Sequence, residues 1–348
     1  MSEYLDTPID ADDQLIERYA AEFVHRRDRQ ISRRNLLQAG AYGLTLAAMG
    51  IESWDTAADV LRDHNKVNIE TLHNAETERQ FPHTTLLYLP GLKTTWEESA
   101  TNLKALEPVV STIGQMASVG YSNKGFDEDE VFHEITSYLQ QGNIKKVYLY
   151  GGSFSGLVAT ALTPRLQQLG YDVPAVFCDS SPSGPADVRD QFPFKCLAIA
   201  GEYHLPFPEI VRFCAELNER REHKNERSWQ QVWDQSVDQL SPSACSSELA
   251  MTQAAYTNRF NLSLYTDALG TTQFVYLGNV HDAVVNNPRA TRTWPKFLPH
   301  NMHTTLYDTG VAYHASPQYG VNIYRRQMAN AIHDLHLIPQ LKFPVKYT

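Results

Sequence analysis

Apolar residues recur along this chain at two spacings. Residues 84–89 (TTLLYL) are a short β-type run stopped by Pro90-Gly91. Residues 98–113 have helical spacing, and 115–119 predict a second strand that ends at Gly120. Residues 127–141 place Val131, Phe132, Ile135, Tyr138 and Leu139 on one side of a helix. Residues 144–150 (IKKVYLY) predict a third strand, 155–169 a helix and 173–178 (VPAVFC) a fourth strand. This alternation predicts an α/β fold, a parallel sheet with helices on both faces. Right-handed crossovers would bring the strand C-termini to one edge, where ligands bind.

The rhythm breaks at 181–187 (SPSGPAD). From there to about 270 the pattern is helical and more polar, most clearly over 209–221 and 226–240. Strand spacing returns at 274–277 and 304–307, and 318–335 predicts a closing helix. We therefore read 84–182 and 271–348 as one sheet domain. Residues 183–270 would be a helical lid or cap inserted into it. Residues 52–83 are polar with scattered apolar positions and predict a helical linker. Residues 1–51 stand apart as a basic and apolar leader or an anchor-like helix.

Composition narrows the function classes. A chain of 348 residues with 42% hydrophobic residues can bury a large core without crosslinks. Charged residues at 20% exclude global disorder. A net charge of −10 argues against a broad phosphate-binding surface, so no nucleic-acid partner is expected. The 4 cysteines make no disulfide scaffold and lack paired metal-ligand spacing. No H-E-x-x-H occurs, and His133-Glu134 reads as a solvated helix face. No metal and no cofactor are expected. One disulfide among Cys196, Cys214 and Cys245 is credible only in an exported protein.

The leader segregates its charge. Acidic residues come first, Arg26, Arg27, Arg29, Arg33 and Arg34 follow, and 35–51 carries no charge. Ser32-Arg33-Arg34-Asn35-Leu36-Leu37 resembles the twin-arginine export motif. Residues 26–51 are thus an expected contact with a membrane or an export machinery. A docked helix of a cytoplasmic enzyme is the alternative, and localisation stays open between the two.

The strongest local signal is Tyr150-Gly151-Gly152-Ser153-Phe154-Ser155-Gly156, directly after a strand and opening a helix. That is the setting of a nucleophile elbow, a sharp turn that raises a serine hydroxyl above a sheet. It matches G-x-S-x-G except that serine stands two positions after Ser153. A register with Ser155 as nucleophile fits less well. A phosphate-cradling turn is disfavoured because no lysine or arginine lies in the segment.

A serine hydroxyl needs a base, and the base needs an orienting carboxylate. In this layout both follow late strands, acid before histidine. Asp282 lies just past the 274–277 strand and is the chosen acid; Asp179, ending the strand after the nucleophile helix, is the runner-up. Of 13 histidines, His314 comes after the last strand and before the closing helix. His303 is its weaker rival, and His281 could line the pocket. Acyl transfer also needs donors for an oxyanion, and the amides of Leu92 and Phe154 are the candidates. Losing one such donor costs about 3 kcal/mol of transition-state stabilisation.

Together the 89–92 loop, the 150–156 elbow, Asp282 and His314 resemble the α/β-hydrolase superfamily, in its serine hydrolase branch. The resemblance covers roughly 84–182 and 272–335, with the insertion where that family carries a lid. Two departures stand out: the oxyanion loop begins Pro-Gly, and no early antiparallel strands are evident before residue 84. The resemblance implies that Ser153 attacks an acyl carbon, His314 moves the proton and Asp282 holds the imidazole. It implies hydrolysis of a carboxylic ester of a small or medium apolar substrate through an acyl-enzyme. Leu205, Phe207, Ile210, Phe213, Trp229 and Trp233 could lie over that group. An amidase or aminopeptidase is the alternative, with Glu202 or Glu209 binding an amine. A non-catalytic binding protein on the same fold is another.

Overall fold

The computed structural model describes residues 64–205, 208–222, 228–241 and 243–337. The leader read over 1–51 lies outside them. Among the described residues no helix is long and apolar enough to cross a membrane. The expectation of membrane contact is corrected to that extent: no described helix supports it, and residues 26–51, on which it was placed, lie outside the described residues.

A seven-stranded sheet carries the fold. Its strands are β1 (Asn68–Leu72), β2 (Thr84–Leu89), β3 (Gln115–Gly120), β4 (Lys146–Gly152), β5 (Ala175–Asp179), β6 (Gln273–Asn279) and β7 (Met302–Tyr307). They lie in the order β1-β3-β2-β4-β5-β6-β7. β1 runs antiparallel to β3, with Ile69 opposite Val119. Every other neighbouring pair is parallel. The strand within the segment read as a helical linker is thus a departure from expectation. β1 is an edge strand with an exposed and half-buried pattern (NIETL), so it lacks the apolar run that marks a central strand.

Ten helices are described among these residues. α1 (Ala75–Gln80), α2 (Trp96–Val110), α3 (Glu128–Gln141) and α4 (Ser155–Gln168) precede the insertion. α5 (Gln191–Tyr203), α6 (Pro208–Glu222), α7 (Trp229–Asp238) and α8 (Ser247–Arg259) form it. α9 (Asn287–Phe297) and α10 (Val321–Asp334) follow. Local chemistry fixes their starts. Thr95 and Glu98 make a reciprocal capping box at α2. Asp127 caps α3, whose first turn holds Glu128, Asp129 and Glu130 against the positive end of the helix dipole.

Period-2 alternation divides the strands between two cores. Leu87, Leu89, Val147, Leu149 and Val176 face one side, against α3, α4 and α9. Leu86, Tyr88, Tyr148, Tyr150 and Phe177 face the other, against α2 and α10. A third cluster lies in the cap, where Phe194, Leu197 and Ala198 of α5 meet Met251 and Ala254 of α8. Because β3 and β4 flank β2 on opposite sides, the chain reverses direction across the sheet there. The loops after β2 and β4 therefore open a crevice at the carboxyl edge, where α/β sheets bind ligands.

Candidate active site

The turn from β4 into α4 is tight enough to exclude side chains. A Cβ on Gly151 would sit 2.3 Å from the Ser155 carbonyl oxygen, and one on Gly156 would sit 2.1 Å from Ser181 Oγ. Between them Ser153 takes φ 52°, in the left-handed region that non-glycine residues avoid. Its amide donates to the Asp179 carbonyl at 2.8 Å, which pins the turn to the end of β5. Ser155 Oγ is buried and donates to the Pro90 carbonyl at 2.5 Å, with Tyr121 Oη 2.7 Å away. It ties the elbow to the loop after β2 and does not face the crevice.

Ser153 Oγ donates to His314 Nε2 at 2.7 Å, and His314 Nδ1 donates to Asp282 Oδ2 at 2.7 Å. The carboxylate accepts only, and that fixes the imidazole tautomer. Asp282 Oδ1 accepts from the amides of Val284 and Val285, each at 2.8 Å. Asn287 Nδ2 adds a bond to Oδ2 at 3.2 Å. Burial would raise the Asp282 carboxyl, but the His314 charge and these donors outweigh it and hold it below the usual range. Burial would lower His314, and Asp282 overcomes that and raises it.

Asp179 does not reach His314 through a hydrogen bond. It is fully buried at the end of β5, accepting from Tyr150 Oη at 2.9 Å and Tyr307 Oη at 3.4 Å. Burial pushes its carboxyl up to about 7, against the lowering bond from Tyr150. His303 bonds Gln273 Oε1 at 3.0 Å on the exposed side of β7. His281 pairs with Asp308 at 3.1 Å and does not line the crevice.

Leu92 and Phe154 flank the serine. A Cβ on Gly91 would lie 3.3 Å from Ser153 Cβ, so the loop after β2 packs directly against the turn that carries Ser153. Among the described residues no acceptor pairs with the amide of Leu92 or of Phe154. A cavity of about 250 Å³ opens over Ser153 and His314, with Leu92, Val188, Phe194 and Leu197 on its apolar side. Lys93, Glu216, Glu219 and Arg220 form a charged wall.

The cap residues expected over the substrate sit elsewhere. Trp229, Trp233 and Leu205 are exposed, and Phe213 packs on Trp233 with ring centroids 4.9 Å apart. Phe207 lies outside the described residues. Glu202 lines a separate cavity of about 510 Å³ between α3, α5 and α8, and Glu209 is buried away from Ser153. Neither borders the serine.

Two asparagines escaped sequence reasoning. Asn279, ending β6, donates to the Val311 and Tyr313 carbonyls, both at 2.9 Å, and so joins the acid loop to the histidine loop. Asn287 bonds Asp282, the Asn279 carbonyl and Ser180, while its own carbonyl accepts from Tyr276 Oη at 2.5 Å. The cluster of asparagines around Asp282 was the available signal. All four cysteines are free. Among the described residues no group of three or more histidine, cysteine, aspartate or glutamate side chains could hold a metal ion.

No known family and no curated protein matches the chain in sequence. Solved structures do match in three dimensions. A proposed aryl esterase from Burkholderia cenocepacia is 10% identical with a TM-score of 0.54, over 78% of this chain and 95% of that one. The enol-lactonase from Burkholderia xenovorans LB400 is 12% identical with a TM-score of 0.53, over 78% of this chain and 96% of that one. A hydrolase from Oleispira antarctica is 12% identical with a TM-score of 0.52, over 80% of this chain and 97% of that one. The likeness at such identities is one of architecture. It joins the parallel sheet, the helices on both faces and the helical insertion in one conclusion: the chain has the α/β-hydrolase fold.

Proposed function

We propose that this chain is a serine hydrolase cleaving carboxylic esters of small or medium apolar substrates through an acyl-enzyme intermediate. The observation that carries the reading is the continuous pair of 2.7 Å bonds from Ser153 through His314 to Asp282. Ser153 Oγ attacks the acyl carbon as its proton passes to His314 Nε2. The amides of Leu92 and Phe154 donate to the oxygen that gains negative charge. When the tetrahedral adduct collapses, the alcohol leaves with the proton held on Nε2. Water then repeats the sequence on the acyl-enzyme, giving the carboxylic acid and free Ser153. Asp282 keeps the imidazole oriented and stabilises its charge.

The apolar lining from Leu92, Val188, Phe194 and Leu197 favours an apolar acyl or alcohol group. The amide alternative would use the same three residues; Glu202 and Glu209, the candidates for binding a substrate amine, do not border the cavity that holds Ser153. A fluorophosphonate probe should label Ser153 in the intact protein and fail to label Ser153→Ala. Labelling that persists in the variant would refute the assignment.

A further inference from the structure

The loop that carries Leu92 is held from outside the sheet domain. Lys93 follows Leu92 directly and takes φ 65°, a left-handed conformation unfavourable for a side-chain-bearing residue. Two contacts from the cap hold it there. Its amide donates to Gln253 Oε1 on α8 at 3.1 Å, and Gln253 is fully buried. Its Nζ lies 2.6 Å from Glu216 Oε1 and 3.7 Å from Glu219 Oε2, both on α6.

The anchors are themselves fixed. Glu216 is 1% exposed, pairs with Arg220 one turn along α6 and lies 3.8 Å from Arg212 Nε. Burial would raise its carboxyl, yet Lys93, Arg212 and Arg220 bring it down to about 2, so it is a carboxylate at any working pH. Gln253 Nε2 has no partner among the described residues, whereas its Oε1 holds the Lys93 amide. Its one visible bond is to the loop beside the nucleophile.

We propose that Gln253, Glu216 and Lys93 form a latch by which the cap sets the position of the Leu92 amide, making them positioning residues for hydrolysis. The latch grips Lys93 by backbone and side chain at once, from two different cap helices. Release of the Lys93 amide would let the backbone of 91–93 shift and carry the Leu92 amide away from the space above Ser153. The proposal rests on the reading of the Leu92 and Phe154 amides as oxyanion donors. It goes beyond that reading by making the donor's geometry a property of the docked cap.

The test compares wild type, Gln253→Met and Gln253→Glu on a short-chain ester, with circular-dichroism melting and fluorophosphonate labelling of the same samples. Gln253→Met keeps the volume and removes the acceptor. Gln253→Glu keeps an acceptor oxygen and sacrifices no visible bond. The expected result is a kcat about 10–100-fold lower in Gln253→Met with KM within about threefold, because misplacing an otherwise intact catalytic group acts on the transition state. Gln253→Glu should recover kcat to within about threefold of wild type. A Gln253→Met kcat within threefold of wild type overturns the latch, as does an equal loss in Gln253→Glu. Should Gln253→Met show no cooperative melting, Lys93→Met decides. A tenfold loss of kcat supports the latch, and an unchanged kcat overturns it. Wild type that resists the probe and hydrolyses no ester brings down the hydrolase reading together with the latch. Labelled, active wild type with unaffected variants brings down the latch alone.

Discussion

Ser153 is held above the sheet at φ 52° and the imidazole beside it is held by a carboxylate with every oxygen engaged. His314 can accept the serine proton only while neutral. Its value is raised from 6.5, so kcat/KM should fall as pH drops through a point above 6.5. Asp282→Asn removes the strongest raising influence on the ring and also favours the wrong tautomer. Turnover should fall about 10³–10⁴-fold, and the residual acid limb should move to lower pH. A limb that stays in place, or turnover that survives, would show that Asp282 does not orient His314. That Ser153, His314 and Asp282 would come together in a bonded row could be read from local patterns: small residues at a sharp turn, an acid after a late strand, a histidine after the last one. Asn279 and Asn287 could not be read that way. An asparagine's value here comes from carbonyls and carboxylates that only folding brings within 3.2 Å. Asp179 was legible as a candidate, and the structure gives its oxygens to Tyr150 and Tyr307.

At the scale of elements, the central strands were readable because two-sided burial writes a continuous apolar run. β1 was missed for the opposite reason: it is paired on one side only and half exposed. α9 was missed because its sequence, NPRATRTWPKF, buries only Asn287, Ala290 and Trp294 and contains two prolines. The insertion was recognised as helical, yet which of its faces meets the substrate was misjudged. Trp229 and Trp233 look like pocket residues by type, while the cavity is lined from α5 by Phe194 and Leu197. A helical period marks a buried stripe without saying which neighbour covers it. Phe194→Val should therefore widen the acyl side of the cavity. The ratio of kcat/KM for a longer ester to that for a short one should rise about tenfold. The melting temperature should fall by a few degrees, since Phe194 also packs in the cap. An unchanged ratio in a folded variant would mean that α5 does not set acyl size.

The whole molecule places a fully enclosed carboxyl, Asp179, against Tyr150 and Tyr307 of the core that packs on α2 and α10, at the foot of the Ser153 turn. Its value near 7 in the fold compares with 3.8 for an ordinary aspartate. A raised folded value means that stability is complete below the unfolded value and is lost as pH rises through the folded one. The share of stability that Asp179 contributes should therefore fade between roughly pH 4 and pH 7. Urea unfolding of Asp179→Asn should show that loss abolished, with the variant gaining on wild type as pH rises. Parallel curves for the two proteins would sink the assignment. His314 responds to the same protons in the opposite sense, for in the proposed mechanism it takes up the serine proton only once they have gone. Alkali that readies the imidazole thus drives a charge into the dry ground beneath it. What Asp179 adds to durability should accordingly be fullest on the acid side of the pH at which turnover peaks. A sample stored at its most active pH would forgo what the Asp179 proton adds to the fold.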